Sequence, residues 1–138
     1  MMAPELLAAY RAAHYRVEAD PAFDLIPDQL SEALSALHSS HHVRGSAFIT
    51  AANPASILFD SASNEARAAE LEARVQKSGW AFLRGRGIDP KGEWPDEASL
   101  LILGISFKDA CALAAELGQN ALLWNGADAI ARLILLRE

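Results

Sequence analysis

The sequence predicts an α+β domain in which a single mixed β-sheet packs against about four helices, in an order of roughly αββαβαβαββ. Apolar residues recur at helical spacing in several segments. Short alternating or wholly apolar segments between them have the spacing of strands. The 138 residues are 51% hydrophobic and 22% charged, which is typical of one globular domain spanning residues 1–138.

The first half of the chain alternates helical and strand patterns. Pro4 suits the first turn of a helix, where its missing N–H costs nothing. Asp20-Pro21 is a turn signal, and Leu30, Ala33, Leu34 and Leu37 form one apolar helical stripe. The elements predicted here are helix Ala3–His14, strand Tyr15–Ala19, strand Phe23–Leu25, a helix on the stripe Leu30–Leu37 and strand Ala47–Thr50.

The second half contains the clearest helix and the clearest strand. Glu70 and Arg74 form an i,i+4 pair on that helix, and Gly79 ends it. The strand Leu100–Ile105 is apolar on both faces, so we expect it to be central and covered on both sides. The elements predicted here are helix Ser61–Lys77, strand Trp80–Arg84, loop Gly85–Glu97, strand Leu100–Ile105, a helix from Ser106 to Leu117, and strands Ala121–Trp124 and Leu133–Leu136.

Charge and cysteine content narrow the function classes. The formal net charge is −6 and the sequence pI is near 5.2, so nucleic-acid binding is disfavoured despite a modest basic patch of Arg84, Arg86 and Lys91. The longest apolar run is too short to span a bilayer, which predicts no membrane association. Cys111 is the single cysteine, so no internal disulfide forms and we expect a cytoplasmic location.

Metal and cofactor signals are weak. His38, His41 and His42 resemble metal ligands, but no second acidic or Cys/His pair with ligand spacing accompanies them, so no metal site is predicted. Their positive charge at the end of a helix is the simpler interpretation. Gly85-Arg86-Gly87 lacks the spacing of a dinucleotide-binding loop. The cofactor, if the protein uses one, is therefore unknown.

Polar residues gather after strand Ala47–Thr50 and at the start of the third helix. Thr50, Asn53 and Ser56 form either part of a binding site or a turn that satisfies its own backbone. Asn64 and Arg67 lie on the first turn of the helix, where unpaired N–H groups favour an anion. The alternative is a capped helix with Arg67 in solvent.

Two further groups of polar residues follow. Trp94 lies in the long loop and could stack on a ring. Glu97 and Ser99 adjoin a buried strand, and Glu97 is the candidate catalytic acid or base. The alternative is a Trp94 that packs at the core edge and a Glu97 that caps backbone N–H groups. Gln119 can read an amide or base edge, with a helix cap at Asn120 as the alternative.

These stretches resemble a known family, the bacterial domain-of-unknown-function family 3293. The resemblance covers nearly the whole chain in the family's order. The matching stretches are Ala12–Val17, Phe48–Ser56, Asn64–Arg67, Gly87–Ser99, Gly104-Ile105-Ser106 and Gly118–Trp124.

The resemblance implies a set of signature positions but no activity. The family often has an aromatic residue before its Asn-Pro, where this chain has Ala52, so a stacking wall is either missing here or moved to Trp94. The implied signature positions are Asn53, Pro54, Asn64, Arg67, Trp94, Glu97, Ser99 and Gln119.

The leading hypothesis is a domain, enzymatic or not, that binds a small polar or anionic molecule such as a nucleotide. Arg67 would hold the anion, Asn53 and Gln119 would read polar edges, Trp94 would cover the site, and Glu97 would act as acid or base. The alternative is a protein-interaction module that uses an apolar edge strand such as Leu133–Leu136, homodimer formation included.

Overall fold

The apolar stripes and alternating segments fold into four helices and seven strands in the computed structural model, which describes residues 2–136. The helices are α1 (Pro4–Ala12), α2 (Glu32–Ser40), α3 (Ser61–Ser78) and α4 (Phe107–Glu116). The strands are β1 (His14–Val17), β2 (Phe23–Leu25), β3 (Ser46–Thr50), β4 (Ala81–Ile88), β5 (Glu97–Leu103), β6 (Ala121–Asn125) and β7 (Ala131–Leu135). The α+β class, the single sheet and the four helices are confirmed. The order is αββαβαββαββ. It has the seven strands that were predicted one by one, and one strand more than the rough order.

The sheet is antiparallel at every described pairing and has the strand order β2-β1-β4-β5-β3-β6-β7. The predicted mixture of parallel and antiparallel pairs is therefore corrected. Each helical crossover does join two parallel strands, as expected of such connections. At least one antiparallel strand lies between the two in every case, as β3 does between β5 and β6. No parallel pair consequently forms.

The hairpin of β4 and β5 is longer than predicted, and the loop between them covers only residues 89–96. Glycines at positions 85 and 87 suggested a loop because glycine is depleted in strands. At Gly85 the absence of a side chain permits close packing instead. A Cβ there would lie 2.4 Å from the carbonyl oxygen of Arg16 and 2.8 Å from the ring of Phe48.

The sheet separates two apolar cores because its side chains alternate between faces. Leu100 and Ile102 point to the face covered by α3 and α4. Leu101 and Leu103 point to the other face, which α2 covers through Leu34. The prediction that this strand is central and covered on both sides is confirmed, since β5 is fourth of the seven strands.

The last strand lies at one edge of the sheet. Part of that edge is covered, since the N–H of Asp28 donates to the carbonyl of Ala131 at 2.7 Å and the N–H of Ser31 donates to that of Ala129 at 3.0 Å. The side chain of Leu135 is 42% exposed. Interaction through this edge, homodimer formation included, stays a prediction.

A buried histidine connects α2 to the sheet. His38 is 5% exposed, and its Nε2 lies 2.8 Å from the hydroxyl of Ser46. Burial disfavours the imidazolium and lowers the pKa of His38. The neutral ring is therefore the form that the fold accommodates.

Acidification is expected to destabilise the fold through His38. The unfolded chain takes up a proton near pH 6.5, whereas the folded chain does so only at lower pH. The contribution is complete above about pH 6.5 and decreases as the pH falls towards the folded pKa. Chemical denaturation across this range should show a smaller loss in the His38→Gln variant, which keeps a polar partner for Ser46. Equal losses in the two proteins would contradict the assignment.

Candidate functional site

A cavity of about 400 Å³ lies between α1 and the sheet face that carries Phe48 and Leu123. Its size is within the range of small-molecule sites. Seven of the nine residues predicted for a site line it, and they come from three separate segments of the chain. These seven are Thr50, Asn53, Ser56, Trp94, Glu97, Ser99 and Gln119. Asn64 and Arg67 lie outside the lining.

Strand register explains how β3 and β5 contribute to the cavity. Thr50 is paired with Ser99, and Phe48 with Leu101. Directly opposed residues point to the same face, as do residues two apart along one strand. Glu97 therefore points to the same face as Ser99, at the end of the hairpin that adjoins the loop 89–96.

Asn53 is the hub of the polar end of the cavity. Its Oδ1 accepts hydrogen bonds from the N–H of Phe59 at 2.9 Å and from Nδ2 of Asn64 at 2.8 Å. Its Nδ2 donates to Oε2 of Glu97 at 2.7 Å. Because a backbone N–H can only donate, these contacts determine the orientation of the Asn53 amide. Asn64 therefore supports the site through Asn53 rather than from the cavity wall.

The turn that carries Asn53 has an unusual backbone. Asn53, Ala55 and Ser56 have φ values of 46°, 56° and 60°, in the left-handed region that L-residues other than asparagine and aspartate rarely adopt. Such conformations persist only where surrounding contacts impose them, and they cluster at functional sites. The turn thus needs support from elsewhere in the fold.

Arg67 supplies a large part of that support. Its Nε donates to the carbonyl of Ala51 at 2.5 Å and its Nη2 to the carbonyl of Leu117 at 2.7 Å. The guanidinium also lies 5.7 Å from the ring centroid of Phe59. Arg67 thus joins the segment after β3 to the end of α4, and these two hydrogen bonds form a clamp between the segments. Its binding of an anion stays a prediction.

The residues after α4 complete this clamp. Nε2 of Gln119 donates to the carbonyl of Ala52 at 3.0 Å, and Nδ2 of Asn120 donates to the hydroxyl of Ser56 at 3.0 Å. The N–H of Ala55 donates to the carbonyl of Gly118 at 2.8 Å. The strained turn is therefore held against the end of α4 along its whole length.

The N-terminus of α3, predicted to attract an anion, is capped by the chain's own carboxylate. Oδ1 of Asp60 accepts from the N–H of Ser63 at 2.7 Å. Hydrogen bonding to Ser63 lowers the pKa of Asp60, which keeps a negative charge at the positive end of the helix dipole.

Glu97 combines burial with one unused oxygen. Its Oε2 accepts from Nδ2 of Asn53 and from Nε1 of Trp94, the latter at 3.1 Å. Burial raises the pKa of Glu97, and these two hydrogen bonds oppose that rise only in part. Oε1 has no donor among the described residues.

The loop 89–96 is organised around Asp89, whose carboxylate accepts from three backbone N–H groups. They belong to Lys91, Glu93 and Trp94, at 2.9, 3.0 and 3.0 Å. These hydrogen bonds lower the pKa of Asp89, the one from Lys91 most strongly. The ordered loop brings the indole of Trp94 onto the cavity and within reach of Glu97.

Sequence reasoning missed two tyrosines of the cavity wall. The hydroxyl of Tyr15 donates to the carbonyl of Tyr10 at 2.6 Å, and the hydroxyl of Tyr10 lies 2.8 Å from that of Ser56. Burial raises the pKa of Tyr15. A signal was present for Tyr15, which lies within the stretch Ala12–Val17 that resembles the family. A tyrosine within a helix or strand pattern is, however, equally typical of a packing position.

Two arginines of the basic patch are paired with carboxylates. Arg84 forms an ion pair with Glu72, and Arg86 forms ion pairs with Glu18 and Asp96. Within residues 2–136, no group of three or more His, Cys, Asp or Glu side chains is positioned to hold a metal ion. In the same range, none of the helices has the length and apolar character needed to cross a membrane.

Together the fold and the cavity define an α+β domain with one antiparallel sheet and a polar-ended pocket beneath its first helix. Residues 49–122, more than half of the chain, match the family described as "Protein of unknown function (DUF3293)". The chain therefore belongs to this family, as the resemblance predicted. All nine predicted site residues lie within the matched segment. No curated protein and no solved structure matches the chain.

Proposed function

We propose that this protein is a small-molecule-binding domain whose polar ligand occupies the cavity beneath α1. The proposal rests on the convergence of side chains from distant segments of the chain around one cavity. Residues from β3, the strained turn, the hairpin and the segment after α4 all line one cavity of about 400 Å³. Side chains that only closed their own local turns would have no reason to meet there.

The cavity has an apolar side and a polar end, which would orient a ligand. Tyr15 and Phe48 lie edge to face, with ring centroids 5.5 Å apart, and Trp94 adds a third aromatic surface. Glu97 and Gln119 are at the polar end. A few polar groups on a mainly apolar wall are the usual composition of small-molecule sites.

The prediction that the ligand is polar has better support than the prediction that it is an anion. Arg67 is committed to two backbone carbonyls, and the N-terminus of α3 is capped by Asp60. Both groups that were expected to hold an anion thus have partners within the fold. In this proposal Arg67 shapes the site by holding the strained turn.

Glu97 is our proposed acid or base if the bound molecule is also transformed. General acid–base chemistry works best with a pKa near the working pH, and the direction in which burial moves the pKa of Glu97 is towards neutrality. Its free Oε1 would be the oxygen that exchanges the proton with a bound molecule.

Filling the cavity at Gly87 is expected to abolish ligand binding. Gly87 is opposite Glu97 and Tyr15 in the sheet, and a Cβ added there meets no atom within 4 Å. The Cβ of a leucine at this position would therefore fit without strain, and the rest of its side chain would project towards the cavity that Gly87 lines. Ala81→Leu, on an exposed position of the same strand, is the matched control.

The measurement is a thermal-shift screen of small neutral, cationic and anionic metabolites. A compound present at 100 times its Kd should stabilise the wild-type protein and the Ala81→Leu variant by about 2.7 kcal/mol, and should leave Gly87→Leu unshifted. Compounds that stabilise Gly87→Leu as strongly as the wild type would refute binding in this cavity.

A further inference from the structure

Three of the donors that border the cavity are already used within the protein. The hydroxyl of Thr50 donates to the carbonyl of Ala98 at 2.8 Å, and that of Ser99 to the carbonyl of Glu97 at 3.0 Å. The indole N–H of Trp94 donates to Glu97. A ligand that needed one of these three donors would have to displace the bond that the donor makes.

The acceptors, in contrast, are partly unused. Gln119 is 5% exposed, and because its Nε2 donates to a carbonyl, its Oε1 is the acceptor end. Neither this Oε1 nor Oε1 of Glu97 has a hydrogen-bond donor among the described residues. The one described side-chain atom that lacks both a partner and solvent access is Oδ1 of Asn125. Both Oε1 atoms are therefore open to the cavity that their residues line.

The charge of the lining has one sign. Asp89, Glu93 and Glu97 line the cavity, and none of its described lining residues is a lysine, an arginine or a histidine. Of the three, Glu97 is half-buried and has no basic residue beside it in the lining, and a carboxylate that loses water without gaining a counter-ion is destabilised. A positively charged ligand would supply the counter-ion that these residues do not.

We propose that the ligand of this cavity is an organic cation, a protonated amine or amidine on an apolar body. This inference rests on the proposed function and specifies its ligand class. The N–H groups of the cation donate to Oε1 of Glu97 and to Oε1 of Gln119. The apolar body lies against Tyr15, Phe48 and Trp94. The arrangement selects against carboxylates and phosphates, whose negative charge would face Glu97.

Three ring compounds of nearly equal size and shape test the inference: benzamidinium, benzamide and benzoate. Binding is followed by the NMR signal of the Trp94 indole N–H. We expect the wild-type protein to bind benzamidinium at least about tenfold more tightly than benzamide, a difference typical of a partly desolvated charge pair. Benzoate should bind more weakly than either.

The Glu97→Gln variant tests the role of the carboxylate. Glutamine keeps an oxygen that can accept from Asn53 and Trp94, so the variant should fold and should melt no lower than the wild type, because a buried charge is removed. Its affinity for benzamidinium should fall by about tenfold or more, while that for benzamide changes little. Glu116→Gln, which alters an exposed ion pair, is the control and should leave all three affinities unchanged.

The outcomes separate the two proposals. Benzoate binding as tightly as benzamidinium, or a Glu97→Gln variant that retains the preference for the cation, would overturn the ligand class. Binding in the cavity would still stand if Gly87→Leu abolished the signal. If none of the three compounds perturbs Trp94, the ligand class is overturned, while binding in the cavity is decided by the metabolite screen. If Gly87→Leu binds them unchanged, both proposals fail.

Discussion

Replacing Asn53 with alanine is expected to lower the free energy of unfolding by about 3–5 kcal/mol, the largest effect of any single change considered for this protein. The variant loses the bonds to Phe59, Asn64 and Glu97, and a partly buried group left without its partner costs about 1–3 kcal/mol. Alanine also tolerates the left-handed backbone less well, at a cost of about 1 kcal/mol. Ligand binding should be lost as well, because Glu97 loses one of its two donors.

Urea denaturation of the wild type and of two variants separates these contributions. Asn53→Gly removes the same hydrogen bonds but accepts φ of 46° without strain. It should therefore be more stable than Asn53→Ala by about 1 kcal/mol. A loss below about 1 kcal/mol in Asn53→Ala would show that the residue is not the hub described here. Equal stability of the two variants would show that the left-handed backbone does not contribute to the loss of stability.

Replacing Arg67 with methionine is expected to cost about 2–4 kcal/mol. Methionine retains most of the apolar stem but leaves the carbonyls of Ala51 and Leu117 without their charged donor. Hydrogen bonds to charged groups contribute about 1.5–3 kcal/mol each, and the two carbonyls belong to the segments that the clamp joins. The strained turn should loosen, and cavity binding should weaken with it.

Arg74→Met on the same helix is the matched control for Arg67→Met. Arg74 is exposed and pairs with Glu116, so its loss should cost less than about 1 kcal/mol. An anion-binding Arg67 would behave differently, since its removal would weaken binding of an anion and leave stability nearly unchanged. Chemical denaturation that gives the two variants equal stability would therefore contradict the clamp.

Local sequence patterns predicted most of the helices and strands, because the spacing of apolar residues reflects which face of each element is buried. The apolar run Leu100–Ile105 could only be covered on both faces, and it is the central strand. Ser106, predicted as a helix cap, accepts from the N–H of Asp109 at 3.1 Å. Gly79, predicted to end the third helix, has φ of 82°, which glycine adopts at little cost.

Strand pairing was harder to predict because it depends on distant neighbours. Gly85 and Gly87 read as loop residues, since propensity penalises glycine in a strand. Their place in β4 follows from the close approach of Arg16 and Phe48 at the first glycine and from the open cavity at the second. The sheet is antiparallel because each helical crossover leaves room for at least one strand between the two strands it joins. Which strand fills that place cannot be predicted from a local pattern.

The sequence by itself determined the α+β class, the helices and strands with a few shifted ends, and the set of polar residues that gather at one end of the fold. Tertiary structure alone decided what each of these residues does there. Arg67 and Gln119 looked alike as candidate ligand contacts, yet one lies outside the cavity and the other lines it. The partners that place these side chains are distant along the chain, 16 and 50 residues away for Arg67 and 67 for Gln119. Hydrogen bonds over such separations depend on packing rather than on neighbouring residues.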